Sequence, residues 1–411
     1  MARRVLVVLA QMPHDPASGA ARSTRAIADL LAAGGFDVRC LATTATEAAD
    51  RDRPAAELLA SLGLHPRAAR GPGGARLLEC SHHGVAYRYL DTPGHDQNSW
   101  EPSLGSAFDR LVREEASSFG PDVVFTFGAT RPQLARRGML RDAGAAVVAA
   151  LFNHGHYDRG AFAHTDAVYA CSAYLAGEYR RRIGLRATAI PQPIDPAEVV
   201  ASDRDPIFVT YVNPSPAKGV MLAATMLERL AVRRPDIPAL VVEARGTAGL
   251  LASAALAGGF DLRRHESIMV SPPLPTPAHV FAPTRLLVVP SLWPEPAGRV
   301  AIEAMLNGVP PIVSDRGGLP ETSLDAGVVV PVPASITERT PRPVGSEVAE
   351  PWVDHIERLT DDASVYEAAS TRARRAAAAV DHERLAPRYA GLFGSVERRA
   401  SAPDDLFEGA P

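Results

Sequence analysis

At 411 residues, 46% hydrophobic and 22% charged, the chain is long enough for two soluble domains and has no composition typical of disorder or fibrous repeats. A net charge of -4 gives no basic footprint for nucleic acid or an anionic membrane surface. Cys40, Cys80 and Cys171, an odd and sparse set, fit a reducing cytoplasm and not a disulfide scaffold.

The opening "MARRVLVVLAQMPHDP" places arginines before an apolar run, but "VLVVLA" is too short for a signal-peptide core, and it reads as a first buried strand. No segment approaches the ~20 apolar residues of a membrane span. Further strands are predicted at 37–42, 122–127 and 146–151. Helix-period stretches lie between them: "AARSTRAIADLLAAGG", "SAFDRLVREEASSFG" and "RPQLARRGMLRDAG". Continuous apolar strands separated by helices mean a parallel sheet covered on both faces. Residues 76 to 90, "ARLLECSHHGVAYRY", break the rhythm and read as a hairpin turning at His83-Gly84.

The prolines and acidic residues of "PQPIDPAEVVASDRDP" stop the pattern and predict a linker over 196–206. The pattern restarts with "IFVTYV", "ALVVEA", "SIMV", "RLLVVP", "PPIVS" and "GVVVP". Helices are predicted at 362–379 and 384–398. The last, within 381–398, is expected to pack back on the first domain, and 399–411 is expected to be a frayed tail. The predicted fold class is therefore α/β: two doubly wound Rossmann-like domains, 1–195 and 207–380, facing a cleft. Ligands are expected at the carboxyl ends of the strands.

The chemistry concentrates in "LLVVPSLWPEPAGRVAIEAMLNGVPPIVSDRGGLPE", residues 286 to 321. A buried strand ends at Pro290, a loop carries Glu295, and a helix starts near Ala297-Gly298 with Glu303 about one and a half turns in. Backbone N–H groups at such a helix start suit an anion. A carboxylate in the loop would repel phosphate, so Glu295 suits hydroxyls, and Glu303 suits a ribose diol. Taken alone, two glutamates there equally fit solvated charges favoured by a helix dipole.

The whole segment resembles the donor signature of retaining glycosyltransferases with the two-domain GT-B fold, family 4 and its glycogen-synthase-like relatives. Their E-x7-E pattern is matched by Glu295 and Glu303, followed by "G-x-P" and "GGLPE". The resemblance implies transfer of a sugar from a nucleotide-diphosphate sugar to a small-molecule acceptor, with no metal and no other cofactor. In that family the second domain's first strand leads into G-R-x-x-x-x-K-G, whose cations hold the donor diphosphate. Lys218-Gly219 matches the K-G end, and Lys218 is the single lysine among 43 cationic residues. A compact ammonium beside a small residue suits a pyrophosphate as a point charge. The arginine is missing: Asn213 stands in its place, with Arg245, Arg299 and Arg316 as candidate substitutes.

The same resemblance places Gly19 near the diphosphate or the acceptor. It puts His154 against the donor sugar, with His156 in reserve. Candidate acceptor contacts are His156 and Trp100. His82, His83 and Cys80 hint at a metal, but no fourth ligand at zinc spacing exists, and the hairpin turn explains them. The "DRD" strings at 50–52 and 203–205 read as solvated. Competing readings are a phosphorylase, transfer to an amine or thiol, or a non-catalytic nucleotide-sugar-binding protein. A nicotinamide dehydrogenase fits less well, since no G-x-G-x-x-G turn follows the first strand.

Overall fold

The computed structural model describes residues 2–47, 53–92, 102–399 and 403–408. The chain divides into two compact units, Met1–Pro193 with His382–Pro411, and Ile194–Asp381. No helix among the described residues is long and apolar enough to cross a membrane.

In the first unit, β1 (Arg4–Val8) leads into α1 (Gly19–Ala33), β2 (Asp37–Thr43) and α2 (Ala55–Ser61). An antiparallel excursion follows: β3 (Arg67–Arg70), β4 (Arg76–His82) and β5 (Val85–Leu90). Alternation then resumes with α3 (Pro102–Ser118), β6 (Val123–Phe127), α4 (Arg131–Asp142), β7 (Ala146–Leu151), β8 (Ala167–Ala170), α5 (Ala173–Ile183) and β9 (Thr188–Ala189). The sheet order is β3-β4-β5-β2-β1-β6-β7-β8-β9. Every residue of β7 is buried, which is why it reads as an unbroken apolar run. The β4–β5 turn has His83 at φ 47 and Gly84 at φ 81, and it joins the ladder at His82–Val85. Two left-handed residues in a two-residue loop match the right-handed strand twist.

The second unit contains α6 (Pro196–Val199), β10 (Phe208–Val212), α7 (Val220–Arg233), β11 (Ala239–Val242), α8 (Ala248–Ala257), β12 (Ile268–Ser271), α9 (Pro277–Phe281) and β13 (Thr284–Val289). It continues through α10 (Arg299–Leu306), β14 (Pro311–Ser314), α11 (Leu319–Thr322), β15 (Val328–Val330), α12 (Ser346–Asp361) and α13 (Ala363–Ala377). All pairings are parallel, in the order β12-β11-β10-β13-β14-β15. Trp352 on α12 is wholly buried in a core with Tyr211, Leu227 and Leu230. The chain then returns to the first unit as α14 (His382–Ser395). There the Tyr389 hydroxyl donates to the Pro191 carbonyl (2.8 Å) and lies 3.0 Å from Tyr169 Oη, and Phe393 packs edge-on against Phe125.

Two sequence expectations need correction, and a third needs it in part. The stretch read as a linker over 196–206 contains α6. Asp195 caps it by accepting from Ala197 N, and Asn307 Nδ2 donates to the Val199 carbonyl, so the proline at position 196 starts a helix. The tail is docked over 403–408: Arg186 N donates to Leu406 O and Glu408 N to Gly184 O, both 2.7 Å, with Leu406 and Phe407 buried. Two adjacent apolar residues carry no periodicity, so the pattern could not show it. In the second "DRD" string, Asp203 and Asp205 are exposed, but Arg204 turns inward and donates to the Phe281 and Thr284 carbonyls. The first string, at 50–52, lies outside the described residues.

Candidate functional site

In the second unit the chain runs from β10 outward to β11 on one side and returns to β13 on the other. The gap between β10 and β13 is therefore a topological switch point, where loops at the carboxyl ends diverge and leave room for a ligand. The loop after β10 carries Asn213 and Lys218, and the loop after β13 carries Glu295. Seventy-seven residues apart in sequence, the Lys218 ammonium and Glu295 Oε1 meet at 2.5 Å. Glu295 is 5% exposed, and Ser291 Oγ donates to the same oxygen at 2.7 Å.

Backbone contacts hold the two loops together. Leu292 N and Trp293 N both donate to Ala217 O (3.1 and 3.0 Å), and the buried Tyr211 hydroxyl donates to Lys218 O at 2.9 Å. Gly219 sits at φ 78 with its missing Cβ only 1.8 Å from Pro290 O, so any side chain would push the lysine and glutamate loops apart. Gly317, at φ 65, lies against the Glu295 backbone, where a Cβ would stand 2.3 Å from both N and O. Gly318 N donates to Glu295 O at 2.7 Å, so the "GG" pair is the seat of the Glu295 peptide.

Helix α10 begins after Gly298, a left-handed N-cap at φ 91, with Ala297 buried before it. Glu303 is buried on this helix, and its Oε1 accepts from Arg299 Nε at 2.8 Å. Arg299 is thus engaged one turn back on the same helix. Arg316 donates to the Val332, Pro333 and Ile336 carbonyls. Arg245, after β11, is exposed. Asn213 holds φ 64, a left-handed position that asparagine tolerates better than arginine, and its Oδ1 accepts from Gly246 N at 2.8 Å. The asparagine therefore pins the loop that presents Arg245.

The remaining sequence candidates lie in the first unit. Gly19 opens α1 behind the N-cap Ser18. It is exposed, and nothing lies within 4 Å of where a Cβ would stand. His154 follows β7, with Nδ1 2.6 Å from the Tyr157 hydroxyl and its ring edge-on to Tyr174. His156 N donates to Tyr179 Oη at 3.1 Å, and burial, with Arg137 second, lowers its imidazole pKa. Burial pushes the Tyr179 phenol up to about 12. Trp100 lies outside the described residues. The structure adds Ser291 and Tyr211, which sequence reasoning missed. Ser291 stands in the quoted frame four residues before Glu295, where a hydroxyl on a strand end is an available signal.

Residues 17–198 match the family described as Glycosyltransferase Family 4, and residues 192–339 match Glycosyl transferases group 1. No curated protein matches the chain. Among solved structures, sucrose-phosphate synthase from Thermosynechococcus elongatus is similar at 17% identity and TM-score 0.64, covering 95% of this chain and 98% of that one. Anabaena HepE, solved in complex with UDP-glucose, gives 16% identity and TM-score 0.65, with coverage of 96% and 100%. The catalytic domain of starch synthase IV from Arabidopsis thaliana, bound to ADP and acarbose, gives 14% and 0.61, with coverage of 95% and 100%. With both halves matched in order and the two parallel-sheet units in place, the chain is a glycosyltransferase of the GT-B fold and belongs to family 4.

Proposed function

We propose that this enzyme transfers a sugar, with retention of anomeric configuration, from a nucleotide-diphosphate sugar to a small-molecule acceptor, without a catalytic metal. The observation that carries this reading is the 2.5 Å pairing of Lys218 with Glu295 at the switch point of the second unit. Lys218 and the first-turn amides of α10 take the diphosphate, Glu303 takes the ribose, and Glu295 takes sugar hydroxyls. Arg245 is our choice for the cation that Asn213 does not provide. His154 is assigned to the sugar, and Gly19 and His156 to the loops that receive the diphosphate end or the acceptor.

Chemically, the protein's contribution is positioning and electrostatics: fixed positive groups stabilise the departing diphosphate as its charge grows. The neighbour solved with UDP-glucose makes uridine-linked sugars the first donors to try. The experiment is a panel of nucleotide sugars screened for thermal stabilisation, followed by nucleotide-diphosphate release with acceptor present and NMR of the product anomer. A ligand near 100 times its Kd adds about 2.7 kcal/mol. Stabilisation by no nucleotide sugar, or a product of inverted configuration, would refute the proposal in its donor or stereochemical part respectively.

A further inference from the structure

We propose that α1 and the β4–β5 hairpin of the first unit form a binding site for a divalent transition ion of the zinc class, with Asp29, His82 and His83 as ligands. The sequence offered the two histidines without an obvious further ligand, and the fold supplies one from α1. One ligand atom from each of the three residues lies within 4.8 Å of the others. Asp29 Oδ2 is 3.5 Å from His83 Nδ1.

Consecutive strand residues point to opposite faces, so adjacent histidines ordinarily cannot share a ligand. Here the left-handed turn at His83 folds its ring over that of His82, with centroids 3.7 Å apart. Asparagine or glycine would take that turn position more readily. The Tyr87 hydroxyl donates to Asp29 Oδ1 at 3.3 Å and orients the carboxylate, as outer-sphere partners of metal ligands do.

A second observation comes from a fourth residue beside the cluster. His14 is 3% exposed and stands edge-on to His82 at 5.7 Å; its Nδ1 lies 2.7 Å from the Tyr89 hydroxyl, and its buried Nε2 has no hydrogen-bond partner among the described residues. A neutral imidazole nitrogen can coordinate an ion or accept from its bound water. Ligand atoms about 2.0–2.2 Å from zinc in a tetrahedron stand ~3.4 Å apart, so the cluster must tighten. His83, with half its side chain exposed, has the freedom to do so. Imidazole and carboxylate together select zinc and its neighbours over magnesium or calcium.

The test titrates the chelator-treated full chain with ZnCl2 by calorimetry and with CoCl2 by visible absorption, so the readout is independent of sugar transfer. We expect one ion per chain, a higher melting temperature with zinc, and at least tenfold weaker binding in both Asp29→Asn and His83→Asn. Asparagine suits the left-handed turn, so equal melting of parent and His83→Asn in chelator shows that loss of binding is not misfolding. Absence of saturable binding, or binding in both variants equal to the parent, overturns the proposal.

Discussion

Replacing Lys218 with methionine keeps the length of the stem and removes the charge. Glu295, 5% exposed, would retain the Ser291 hydroxyl but lose the ammonium at 2.5 Å. Removing one partner of a buried ion pair costs about 3–5 kcal/mol. The Lys218 side chain is 34% exposed, so solvent screens the pair and the expected loss is about 1–3 kcal/mol. For a domain of this size that is about 2–4 °C of melting temperature per kcal/mol. Adding Glu295→Gln to Lys218→Met removes the orphaned charge and should recover most of the loss, an energetic coupling readable from a double-mutant cycle. Turnover should behave differently. Loss of one fixed donor to a charge developing in the transition state lowers kcat by about 10²–10³-fold, and the double variant should stay at or below that level. The assay is thermal melting beside nucleotide-diphosphate release. Parental turnover in Lys218→Met, or recovery of turnover together with stability in the double variant, would reduce the lysine to a structural counter-ion and refute the assignment.

Glu303→Ala should weaken nucleotide binding about 10–100-fold by calorimetry, the value of a charge-assisted hydrogen bond, and unchanged affinity would remove its ribose role. Arg245→Ala should slow transfer at least tenfold, and parental rates would place the second cation elsewhere. For His156, burial lowers the folded pKa beneath the unfolded value of 6.5, so its contribution to stability is full above pH 6.5 and lost as pH falls below it. The parent should therefore lose more melting temperature than His156→Gln between pH 7.5 and 5.5, and parallel curves would contradict the sign. Deleting residues 400–411 should destabilise the first unit by about 2–5 kcal/mol, an upper figure for burying Leu406 and Phe407, as read from denaturant midpoints.

Much of the architecture is legible because buried parallel strands leave unbroken apolar runs, as "AVVAAL" does for β7. The hairpin is legible because His83-Gly84 is a two-residue loop between alternating strands. Helix α12 is not read, since Pro351 interrupts its pattern, although the adjacent Trp352 is wholly buried. At the site, the residue types and the E-x7-E spacing can be read along the chain. The partners cannot: that Glu295 faces Lys218 while Glu303 faces Arg299 depends on which strands neighbour each other and where the glycines let the loops touch. Asp29 was invisible as a partner of His83 for the same reason, because α1 and the hairpin meet only in the fold.

The absent arginine is the point at which that folded context explains a departure from the family. A guanidinium has donors and no acceptor. Asn213 uses its side-chain oxygen to accept the Gly246 N–H, and Gly246 packs so closely on Pro214 that a Cβ would stand 2.3 Å from its carbonyl carbon. An arginine at 213 would leave that N–H without its acceptor and would have to hold φ 64. The position cannot therefore both anchor the β11 loop and carry a cation. We assign the cation to Arg245, immediately before the anchored glycine, so that one residue fixes the loop and its neighbour supplies the charge. On this proposal Lys218 is the cation whose loop is locked to Glu295, and Arg245 the one whose loop is locked to Asn213.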